Sequence, residues 1–181
     1  MATILYLIRH VCIALFIHPE RYRHRYPMTE FGESPALIAD PKQRGILIVE
    51  DDWGPREAIR YLLKSRSYAN AHFARNGQEA LDKIAALGSA IYLILLDIRM
   101  PVMDGMTFLR HLARDCHHPV GIIAATGFPS ADGKREFLEV STPNVIALDY
   151  ISKPFELTEM LESVSRSLDH IHAQRGVTTA S

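Results

Sequence analysis

From Gly45 onward, unbroken apolar runs alternate with amphipathic helical segments, and that alternation constrains the fold more than any other feature. A strand buried on both faces reads as a continuous apolar run rather than an alternating one. Residues 46–49, 91–96 and 120–125 read this way. Residues 71–74 form a weaker strand and residues 149–152 a short one. Between them lie helical patterns. Pro55 suits a first helical position, where its missing N–H costs nothing, and Ala58, Ile59, Leu62 and Leu63 follow on one face. Residues 77–87 carry Ala80, Leu81, Ile84 and Leu87 on one face, and residues 106–114 carry Phe108, Leu109 and Leu112. Residues 134–140 suit a further helix, broken by Ser141-Thr142-Pro143-Asn144, with 145–148 left unassigned. The last helix is expected from Glu156 to about His172, with Leu157, Met160, Leu161, Val164, Leu168 and Ile171 at helical spacing. Five strands alternating with helices imply right-handed crossovers and an α/β, doubly wound parallel sheet covered on both faces.

The polar residues that follow the strands point to chemistry. Glu50-Asp51 follows the first strand, and Asp97 the third. Thr126-Gly127 closes the fourth, and Lys153-Pro154-Phe155 follows the fifth. Ligands of an open parallel sheet bind in the crevice at the carboxyl ends of its strands. Residues far apart in sequence would therefore meet as three carboxylates, one hydroxyl and one ammonium. Crowded carboxylates need a neutralising partner, and Mg²⁺ prefers hard oxygen ligands. The set suits a divalent cation and a phosphoryl group. Each residue also has a plainer reading: an aspartate after a buried strand is usually a cap, and a lysine is usually solvated. Asp52 has only that plainer reading, as a cap.

Type, order and spacing of these motifs resemble the receiver domain of bacterial two-component response regulators. The resemblance covers about residues 45–172. Asp97 is followed by Met100-Pro101 and Asp104-Gly105; 46 positions separate Asp51 from Asp97, 29 separate Asp97 from Thr126, and 27 separate Thr126 from Lys153. The last interval is a few residues longer than the family's. The resemblance implies a flavodoxin-like sheet of order 2-1-3-4-5. It implies Asp97 as phosphoacceptor, with Lys153 and Thr126 against the phosphoryl oxygens. Mg²⁺ would be held by Asp51, Asp97 and the backbone carbonyl of Arg99, with Glu50 acting through water. Thr126 is preferred over Ala124 for the hydroxyl position. Tyr150 matches an aromatic switch residue, and the readout face is the fourth helix, fifth strand and last helix. Arg99 and Phe128 occupy positions that flank the hydrolytic water, so self-dephosphorylation is expected to be slow. The partners implied are a sensor histidine kinase or phosphotransfer protein and a downstream effector protein. A homodimer is left open.

The rest of the chain bounds this reading. It has 181 residues, 48% hydrophobic and 23% charged, with a formal net charge of −1, so no basic field suggests direct nucleic-acid binding. Its two cysteines, Cys12 and Cys116, are too few for a disulfide framework, and a cytoplasmic location is expected. No apolar run is long enough to span a bilayer. Residues 1–44 fall outside the pattern and are read as a disordered extension or a start-site artefact, with translation beginning at Met28. Residues 173–181 are read as a flexible tail. Within these residues no further output domain is legible, so a stand-alone receiver acting by partner binding or phosphoryl relay is expected. Two alternatives remain: a receiver-fold interaction module that needs no phosphate, and a haloacid dehalogenase-type phosphatase. The second wants an aspartate where Arg99 stands.

Overall fold

The computed structural model describes residues 40–178. Its elements run β1 (Gly45–Val49), α1 (Trp53–Ser65), β2 (Ala71–Ala74), α2 (Gly77–Leu87), β3 (Ile91–Asp97), α3 (Gly105–Asp115), β4 (Val120–Thr126), α4 (Ala131–Glu139), β5 (Val145–Ser152) and α5 (Leu157–Thr178). Short 3₁₀ turns precede β1 and β3, at Pro41–Gln43 and Gly88–Ala90. All strand pairs are parallel and the order is β2-β1-β3-β4-β5, the doubly wound order expected from the sequence.

Alternate residues of each central strand serve opposite faces of the sheet. Leu47, Val49, Ile94, Leu96 and Ile122 pack with Ala80 of α2, Phe108, Leu109 and Leu112 of α3, and Phe137 of α4. Ile46, Ile48, Leu93, Leu95 and Ile123 pack with Ile59, Leu62 and Leu63 of α1 and Met160, Val164, Leu168 and Ile171 of α5. Burial on both sides is why these strands lack a polar alternation. The helix starts are capped on the side of the sheet where the strands end. Asp52, Asn76, Asp104 and Ser130 each accept a backbone N–H through the side chain. These caps satisfy donors that a helix leaves without an internal partner.

The structure moves several boundaries; α4, expected at 134–140, spans Ala131–Glu139. α1 begins at Trp53, so Pro55 is its third residue; the first four N–H groups of a helix are unpaired, and proline costs nothing there either. β5 begins at Val145, not at Asp149. Ile122 pairs with Ala147 but Ile123 with Asp149, so Leu148 is an extra residue in β5. This bulge takes up part of the long interval before Lys153. It also resets side-chain parity, sending Tyr150 toward α4 and Ile151 toward α5. Residues 173–178 are helical rather than a flexible tail. Arg175 is buried, its guanidinium donating to the carbonyls of Pro119, Ser89 and Ile91. At the other boundary residues 40–44 belong to the domain: Arg44 is buried and donates to Leu168 O and Asp169. The expectations for residues 1–39, including the Met28 start, lie outside the described residues. No helix among the described residues is long and apolar enough to cross a membrane.

Candidate functional site

The residues singled out above stand at the carboxyl end of the sheet. Glu50 and Asp51 follow β1, Asp97 ends β3, Thr126 ends β4 and Lys153 follows β5. Lys153 Nζ lies 2.5 Å from Glu50 Oε2 and 2.6 Å from Asp97 Oδ2. Glu50, Asp51 and Asp97 each offer a carboxylate oxygen, and these oxygens lie within 4.8 Å of one another. Glu50 is buried, Asp51 exposed and Asp97 between the two. Burial drives the Glu50 carboxyl above its ordinary range, with the Asp97 charge adding to it and Lys153 opposing. Burial works against the Lys153 ammonium, but hydrogen bonds to Asp97 and Glu50 outweigh it and hold its pKa above the usual lysine range. Three carboxylates and one ammonium leave two formal negative charges. One hard divalent cation would balance them, and the donor set, all carboxylate oxygen, fits such an ion.

Local contacts fix this geometry. The Arg56 guanidinium donates to the carbonyls of Glu50, at 2.9 Å, and Asp51, at 3.1 Å, locking the acidic loop to α1. Sequence reasoning did not single out Arg56, because an arginine in the first turns of a helix carries no special signal. Asp97 Oδ1 accepts from Arg99 N at 3.1 Å. Gly105 must be glycine, since a Cβ there would lie 2.4 Å from the Asp97 carbonyl oxygen. That explains the Asp104-Gly105 pair: the first residue caps α3 and the second lets α3 press against the Asp97 backbone. Between Asp97 and α3, Met103 N donates to Pro101 O at 2.8 Å across Val102, which is left-handed with φ 68°. The Lys153–Pro154 bond is cis.

Thr126 is buried, and its Oγ1 accepts from Phe128 N at 3.2 Å. Its carbonyl accepts from Lys153 N at 2.8 Å. Ala124 lies within the sheet between Leu96 and Tyr150, so Thr126 is the one at the strand end. Tyr150 is half-buried, its ring 5.6 Å from that of Phe137. The Arg99 guanidinium sits 4.0 Å from the ring centroid of Phe128, a cation–π pair that sequence separation hid. Among the described residues the histidines form no cluster with these groups.

A parallel sheet of this order, with acidic residues after its first strand and at the end of its third and a lysine after its fifth, defines a CheY-like receiver domain. The chain belongs to the response regulator receiver domain family, whose model matches residues 46–165. Over 137 residues it is 33% identical to the DNA-binding transcriptional regulator NtrC of Escherichia coli (strain K12), covering 74% of this chain and 27% of that protein. Over 124 residues it is 32% identical to the sensor kinase CckA of Brucella abortus, covering 68% of this chain and 12% of that protein. The chain thus spans a minor part of the curated relatives it matches. A CheY-like receiver domain protein of Methanospirillum hungatei matches with a TM-score of 0.63 at 27% identity, covering 72% of this chain and 98% of that one. Receiver domains of two-component systems are phosphoacceptor regulators that interact with histidine kinases and effector domains. The haloacid dehalogenase alternative is left without support.

Proposed function

We propose that this protein takes a phosphoryl group onto Asp97 from a phosphohistidine of a sensor histidine kinase or phosphotransfer protein. The observation that carries the reading is Lys153 bonded at once to Glu50 and Asp97, with Asp51 beside them. An Asp97 carboxylate oxygen forms the new bond to phosphorus as the bond from phosphorus to the imidazole nitrogen breaks. The released imidazole takes up a proton, and an acyl phosphate remains. Asp51, Asp97 and the Arg99 carbonyl would hold Mg²⁺, with Glu50 acting through water. The ion supplies the charge neutralisation that lets a carboxylate approach an anionic phosphoryl group.

Lys153 contributes a fixed positive charge for the phosphoryl oxygens. Thr126 accepts from Phe128 N, and its own hydroxyl proton remains to donate to a phosphoryl oxygen. Movement of Thr126 and Tyr150 then alters the α4–β5–α5 surface that a downstream effector protein reads. Arg99 and Phe128, stacked on each other beside Asp97, slow attack by water on the acyl phosphate. A cytoplasmic setting belongs to this reading, and the free buried thiol of Cys116 is in keeping with it.

The test is intact-mass measurement of the full chain after incubation with Mg²⁺ and acetyl phosphate. One phosphoryl on the wild type, and none on Asp97→Asn or without Mg²⁺, is the expected result. No adduct under any condition would overturn the reading in favour of a phosphate-independent binding module.

A further inference from the structure

Gly133 lies in the first turn of α4, where glycine is a poorer helix former than alanine. Its backbone does not require glycine, because Gly88 is the glycine with a left-handed φ among the described residues. What glycine supplies at position 133 is space. A Cβ there would lie 3.1 Å from Tyr150 Oη and 3.0 Å from Ser130 Oγ. The Ser130 hydroxyl is engaged, since it caps α4 by accepting from Gly133 N at 3.0 Å. Tyr150 is the neighbour that can yield. It is half-buried, its ring leans on buried Phe137, and its hydroxyl has no hydrogen-bond partner among the described residues. Shape alone holds the ring in place.

The same residue is tied to the acidic pocket through the sheet. Tyr150 pairs with Ala124 in β4, and Ser152 pairs with Thr126 at the pocket's edge. The Arg99 charge also reaches the Tyr150 hydroxyl.

We propose that Gly133 is a positioning residue: by lacking a Cβ it seats the Tyr150 ring against α4, and so sets the shape of the α4–β5 surface. The inference rests on the reading of that surface as the one a partner contacts. Alanine at this position makes the helix more stable while its Cβ presses on the tyrosine hydroxyl and shifts the ring in its seat.

The experiment is ¹⁹F NMR of the full chain labelled with 3-fluorotyrosine, with Tyr150→Phe identifying the signal. In Gly133→Ala the Tyr150 signal is expected to move away from its wild-type shift, because the hydroxyl must give way to the new Cβ. A Tyr150 signal unmoved in a folded Gly133→Ala protein overturns the proposal. Beryllofluoride with Mg²⁺ separates it from the reading on which it rests. If Gly133→Ala moves the ring but beryllofluoride leaves the wild-type signal in place, the seat stands and the reading of the α4–β5 surface as the one phosphorylation alters falls.

Discussion

Lys153 and a divalent cation compete for the same carboxylates, and Lys153→Met measures that competition. Nζ is 2.6 Å from Asp97 Oδ2. Mg²⁺ binds carboxylate oxygen at about 2.1 Å, so an ion on that oxygen sits no more than about 4.7 Å from the ammonium. Charges of +2 and +1 at that distance repel by about 1.8 kcal/mol even at the dielectric constant of water, and by about 7 kcal/mol at an effective value of 20. Since about 1.4 kcal/mol is a factor of ten, Lys153→Met should tighten Mg²⁺ binding at least about tenfold. Methionine retains most of the lysine stem's apolar contacts, which limits the change to the charge. Trp53, exposed at the start of α1 and two residues from Asp51, provides a fluorescence readout, and calorimetry an independent one. The same variant should accept phosphoryl from acetyl phosphate more slowly, because the charge facing the incoming oxygens is gone. Unchanged or weaker Mg²⁺ binding would refute the argument, since the ammonium would then not face the ion.

Other perturbations test other parts of the molecule. Arg175→Met strands three backbone carbonyls that now accept from a buried guanidinium; urea unfolding followed by circular dichroism should show a loss of about 3–5 kcal/mol. Val102 is 85% exposed yet has a positive φ, so Val102→Gly forfeits little packing and should stabilise the domain by about 1 kcal/mol in the same assay. Burial, with the Arg175 charge, pulls the His118 pKa from 6.5 to about 4. The unfolded chain therefore binds a proton that the folded one refuses between those values, and stability falls as pH drops through that window. Because the ring is only part-buried the effect is roughly 1–2 kcal/mol; His118→Asn should be less sensitive to acid by that amount in urea unfolding across this window, and a variant as acid-sensitive as the wild type would contradict it. Phosphorylated protein should lose its phosphoryl group over minutes or longer, with Phe128→Glu several-fold faster by admitting and orienting water; a wild-type half-life of seconds that Phe128→Glu does not shorten would contradict the role given to the Arg99–Phe128 pair.

Local pattern carried much of this protein into view. A strand buried on both faces must be apolar throughout, so β1, β3 and β4 announced themselves, and the helices between them showed one apolar face each. Strand–helix alternation then restricts the topology, because crossovers have one hand. Glu50, Asp51, Asp97, Thr126 and Lys153 were legible as a group because each follows a strand, and a parallel sheet brings strand ends to one edge. The sequence by itself thus determined the fold class and the residue types that gather at the pocket.

What it left open depends on contacts between residues distant along the chain. The start of β5 was hidden because its register against β4 contains a bulge at Leu148, and a bulge is a property of two strands together. The last turns of α5 looked like a tail because Arg175 is an ordinary surface residue until three carbonyls from other elements surround it. Arg44 was placed outside the domain for the same reason, its partners lying far along the chain in α5. Gly133 read only as a weak point in a helix, and its fit to Tyr150 exists only once α4 lies across β5. Apolar periodicity is written residue by residue and survives in one dimension. Register, buried hydrogen bonds to backbone carbonyls, and the absence of a single methyl group gain meaning only when the sheet has brought their partners together.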